Sequence, residues 1–115
     1  MIIRTDSIKE ISNIICDNIL IKDKTVIIID SKPIIDLITK DVLLHIEKYY
    51  LDINIRISDL DFKQIGEFIL MGIIDGSRIR GLRAKNIIIY NYEILKEKYK
   101  DHIENIINGY NAISE

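Results

Sequence analysis

The segment Gly76-Ser77-Arg78-Ile79-Arg80-Gly81-Leu82-Arg83-Ala84-Lys85 carries four positive charges and no negative one, in a chain whose formal net charge is −2. Guanidinium forks match the oxygens of a phosphate, and the two glycines let backbone amides come close to an anion. Arg78, Arg80, Arg83 and Lys85 are therefore candidate contacts to DNA or RNA. The competing reading is a solvated loop whose arginines pair with Asp59, Asp61 or Asp75. Lys32, in the turn Asp30-Ser31-Lys32-Pro33, is a fifth candidate, because a lysine beside a helix start can meet a phosphate; on a turn it is also simply solvated.

Three carboxylates define the opposite chemistry. Asp30, Asp59 and Asp61 follow apolar runs, and acidic groups gathered at the ends of parallel strands can hold Mg²⁺ through oxygen. The same spacing serves a helix start: Ser58 with Asp61, and Asp61 with Gln64, satisfy free amides and favour the dipole. Capping requires no divalent ion. His45 and His102 lack a second histidine or cysteine at ligand spacing, and Cys16 is the only cysteine, a small core filler. No cofactor is implied. Tyr90 and Tyr92 offer faces for base stacking or, more plainly, partly buried packing.

These residues must be held by an α/β domain of βαβαβαβα order. Ile2 to Arg4 reads as a short first strand, and Asp6 or Ser7 opens a helix with Ile8, Ile11, Ile15 and Ile19 on one face. Thr25 to Ile29 lacks polar alternation and suits a central strand covered on both sides. A proline in the first helical turn loses no hydrogen bond, so Ser31-Lys32-Pro33 opens the second helix, whose buried stripe is Ile34, Ile35, Leu37, Ile38, Val42, Ile46 and Tyr49. Ile53, Ile55 and Ile57 alternate as a third strand. Ile65, Phe68, Ile69 and Ile73 predict a helix from about Asp61 to Ile74, stopped at Asp75-Gly76. Asn86 to Tyr90 is the fourth strand. Tyr92 to Asn108 is the last helix, with Ile94, Leu95, Tyr99, Ile103, Ile106 and Ile107 inward and Gly109 as its stop. Connections of this kind favour a mostly parallel or mixed sheet with helices on its faces.

With 115 residues, 48% hydrophobic and 30% charged, the chain fits one compact domain that folds without a disulfide or structural metal. The composition excludes disordered, collagen-like and low-complexity classes. The start has no leader pattern, and no apolar stretch nears the ~18 residues of a membrane span. A cytoplasmic protein is expected.

The stretch Thr25-Val26-Ile27-Ile28-Ile29-Asp30-Ser31-Lys32-Pro33-Ile34-Ile35-Asp36-Leu37-Ile38 resembles the opening of Alba-type archaeal DNA/RNA-binding domains, with their apolar strand, Lys-Pro turn and helix. Ile53 to Ser58 as strand, Phe62 to Ile73 as helix, a basic connection and Asn86 to Tyr90 as strand continue the similarity. The resemblance implies nucleic-acid contact by Lys32; a nucleic-acid-associated domain of this kind is expected as a homodimer. It departs at Ser31, where the family has a second lysine, and at Asp59 and Asp61, where it has basic or glycine residues. Asp59-Leu60-Asp61-Phe62 is in turn similar to the Asp-x-Asp element of Toprim metal-dependent nucleic-acid enzymes, without their upstream glutamate. Three functional expectations result: a non-enzymatic nucleic-acid-associated domain, a protein-interaction or assembly subunit, and, third, a Mg²⁺-dependent nucleic-acid enzyme.

Overall fold

The computed structural model describes residues 1–19, 23–49, 57–58, 63–73 and 83–114. In chain order they form β1 (Ile2–Thr5), α1 (Ile8–Asp17), β2 (Thr25–Ile28), α2 (Lys32–Tyr49), β3 (Ile57–Ser58), β4 (Lys63–Ile65), β5 (Phe68–Met71), β6 (Asn86–Tyr90), α3 (Tyr92–Lys98) and α4 (Lys100–Ser114). The strands make one mixed sheet of order β1-β6-β2-β5-β4-β3. Its first four positions are parallel, and β4 and β3 are added antiparallel at the far edge.

Period-two alternation divides the core between the two faces of this sheet. Ile27 and Ile29, with Ile65, Phe68, Leu70 and Ile88, meet Ile11 and Ile15 of α1 and Ile35, Ile38 and Val42 of α2. Val26 and Ile28, with Ile69, Met71, Ile87 and Ile89, meet Leu95 of α3 and Ile103, Ile106 and Tyr110 of α4. The result is an α/β/α sandwich in a single domain, with a Cα radius of gyration of 13.6 Å, close to the ~13 Å of a compact chain of this size. All four residues of β2 are buried, as an unbroken β-branched run between two helical layers requires.

Local chemistry sets the first half. Ser7 caps α1, its Oγ accepting from the Glu10 amide at 3.1 Å, and α2 opens at Lys32-Pro33 with the Ile35 amide donating to the Ser31 carbonyl at 3.0 Å. Cys16 is buried in the core; burial first, then the charges of Asp41 and Asp17, push its thiol pKa above 9.0.

Four expectations are corrected. The helix expected over 61–74 is absent from its described part: residues 63–71 are β4 and β5, joined by a two-residue turn in which Ile65 opposes Phe68. Gly66, at φ +58, makes that turn possible, since glycine alone adopts the left-handed region without penalty. Phe68 to Met71 are all buried, a central strand rather than one stripe of a helix. The last helix is two, α3 and α4, broken at Tyr99 (φ −134). Gly109 lies inside α4 and does not stop it; burial of Tyr110 beside it offsets the ~1 kcal/mol helical cost of a glycine. Leu37 and Ile94, placed inward by their spacing, are exposed. The third strand is seen only at Ile57–Ser58; its expected start, residues 53–56, and the Asp75-Gly76 stop fall outside the described residues.

Candidate functional site

Two ends of the sheet carry chemistry, and the strand order decides what gathers at each. The residues just before β6, 83–85, lie at the edge where the parallel strands begin. There Arg83 and Lys85 are exposed. Arg83 is left-handed at φ 51, and no carboxylate among the described residues pairs with it. Lys85 Nζ lies 3.9 Å from Asp23 Oδ1, with side chains 72% and 55% exposed, a contact too wet to neutralise either charge.

The backbone of this end is firmly tied. The Lys85 amide donates to the Lys24 carbonyl at 2.9 Å. Its carbonyl accepts from the Tyr110 hydroxyl at 2.7 Å and from the Met1 amino group at 3.1 Å, and that amino group also donates to the Tyr110 oxygen. Tyr110 thus joins α4 to the start of β6. Arg78 and Arg80, like Asp59 and Asp61, lie outside the described residues.

Lys32 is exposed but belongs to the other end. Lys85 is level with Lys24, before β2, whereas Lys32 follows β2 and begins α2. The two levels are about six extended residues apart, roughly 20 Å at ~3.3 Å each. Lys32 and the pair Arg83 and Lys85 are not brought together.

At the Lys32 end, β6 sits between β1 and β2. The chain leaves β1 and β2 for α1 and α2 on one face and leaves β6 for α3 on the other. Such a switch opens a crevice beyond the strand ends. Asn91 makes the change of direction in one residue, at φ 54, a conformation asparagine tolerates better than other side-chain-bearing residues. A cleft of about 120 Å³ results between Asp30, Ser31 and Ile34 on one lip and Tyr90, Asn91 and Lys98 on the other.

Asp30 is exposed at this mouth. The Asp30 carboxylate, through hydrogen bonding first and then through its charge, raises the pKa of the Tyr99 hydroxyl. No group of three potential ligands among the described His, Cys, Asp and Glu residues could hold a metal. Next to it, the Tyr92 ring is covered by the Arg4 guanidinium, 3.8 Å from its centroid. Tyr90 and Tyr92 are both half-buried, matching the packing reading of these rings. His102 is exposed, His45 half-buried.

The chain's own reading missed Asn91, Lys98 and Tyr99 as neighbours of Asp30. The abrupt join of an apolar strand to a helix at Asn91, with no loop between, is the one local signal for them. Among the described residues no helix is long and apolar enough to cross a membrane. No family model, curated protein or solved structure matches the chain.

Proposed function

We propose that this is a non-enzymatic domain that associates with nucleic acid, Arg78, Arg80, Arg83 and Lys85 meeting the phosphates of DNA or RNA. The observation that carries the reading is the state of the described end of the basic segment: exposed, anchored through the Lys85 backbone, and, among the described residues, met only by the wet contact of Lys85 to Asp23. A backbone held at Lys85, with side chains that no described carboxylate neutralises, spends less ordering entropy on contact than an unanchored one would. The chemistry reads the phosphate backbone and not base edges, so binding is sequence-independent and sensitive to salt. Lys32, on the opposite end of the sheet, is left out of this surface, although the likeness to Alba-type domains implies it.

Fluorescence anisotropy with labelled single- and double-stranded oligonucleotides at low salt tests the proposal. Binding is expected for the native chain and lost, by tenfold or more, in the Arg78→Ala/Arg80→Ala/Arg83→Ala variant. Unchanged affinity in that variant, or no binding at 20 mM-scale ionic strength (roughly a 20 Å screening length), rejects it.

A second reading, a protein-interaction subunit, is favoured by one separate observation: two leucines on the outer side of α2, Leu37 and Leu44, are 55% and 57% exposed.

A further inference from the structure

The outer side of α2 combines exposed apolar surface with unspent charge. Its residues Asp36, Thr39, Lys40, Leu43, Leu44 and Glu47 line a shallow groove of about 430 Å³. Lys40 and Glu47 are seven residues apart along one helix, roughly 10 Å at ~1.5 Å per residue, beyond pairing distance of each other. Among the described residues neither takes part in an ion pair. Both lie on the same strip of helix surface, since seven residues bring an α-helix back almost to the same angle.

A two-fold axis passing beside Leu43 and Leu44 would use all of these features at once. In an antiparallel pair of identical helices, positions equally far from the axis on either side face each other. Lys40 and Glu47 are equidistant from that point. Each copy's lysine then meets the other's glutamate, twice by symmetry, while Leu43 of each copy meets Leu44 of the other between them. A parallel arrangement in register would instead oppose Lys40 to Lys40 and Glu47 to Glu47.

We propose that the groove on α2 is the docking surface for a second copy of this chain, seated antiparallel with Lys40 of each copy against Glu47 of the other. This deepens the protein-interaction reading and is independent of nucleic-acid contact, which rests on the start of β6. The leucines supply the attraction and the ion pairs the register, because exposed pairs add specificity more than affinity. One helix pair is small among stable interfaces, so the dimer is reversible and depends on concentration.

Sedimentation velocity over a range of concentrations, with circular dichroism to verify folding of each variant, tests this. The native chain is expected to pass from monomer to dimer. Lys40→Glu and Glu47→Lys each invert both symmetric contacts and should weaken association roughly tenfold. The double variant Lys40→Glu/Glu47→Lys should restore it to near the native level, and Leu44→Ser should abolish it. A native chain that stays monomeric, single variants that dimerise normally, or a double variant that is not restored each overturn the proposal. So does binding of the native chain to lipid vesicles through Leu44 without self-association.

Discussion

A single left-handed residue, Gly66, turns the chain from β4 into β5. A Cβ built there would lie 3.7 Å from the Ile19 carbonyl oxygen and 4.0 Å from its Cδ1, ordinary contacts, so the cost of a side chain is conformational and not steric. Gly66→Ala should therefore lose about 1 kcal/mol of stability in urea unfolding, and Gly66→Asn distinctly less. Cys16 has an alkaline signature. Its native pKa is raised by burial, so the unfolded chain ionises first as pH rises. Its contribution is whole below pH ~9 and is lost as pH passes through the raised native value. The stability of the native chain should fall more steeply above pH 9 than that of Cys16→Ala, and a thiol reagent at pH 8 should react with Cys16 at the rate of structural opening. Equal slopes, or immediate reaction, would contradict its burial.

At the scale of elements, β5 and α2 show how packing overrides pattern. Leu70 is fully buried between the layers, whereas Leu37 is half in water. Leu70→Ala should cost 2–5 kcal/mol, and Leu37→Ala within about 0.5 kcal/mol, compared by chemical unfolding. Similar costs would mean that α2 or β5 is wrongly seated. β1, α1, β2, α2 and β6 were legible because their signals are local: the Ser7 cap, the Lys32-Pro33 opening, and unbroken runs such as Val26 to Ile29. The β4–β5 hairpin was not, since Ile65, Phe68, Ile69 and Ile73 fit a helical stripe as well as they fit two strands. Only the buried continuity of Phe68 to Met71, with Gly66 before it, separates the cases. Leu37 and Ile94 were misplaced for a related reason: periodicity gives the width of a stripe only loosely, and both lie at its margin.

For the whole molecule, strand order governs what can act together. Inserting β6 between β1 and β2 creates the crevice of Asp30, Asn91 and Lys98 and places Arg83 and Lys85 at the opposite end from Lys32. No local pattern encodes that insertion, so the cations were legible as residues but not as a surface. The proposed phosphate contact belongs to the β6 end alone. Its most direct measurement is the dependence of nucleic-acid affinity on salt, taken for the native chain, Lys32→Ala, and Arg83→Ala/Lys85→Ala. Each phosphate contact contributes a slope of about −0.9 on duplex DNA in a plot of log K against log salt. Lys32→Ala is expected to keep the native slope and affinity, and the double variant to flatten the slope by about 2 units. A flattened slope in Lys32→Ala with an unchanged one in the double variant would contradict it.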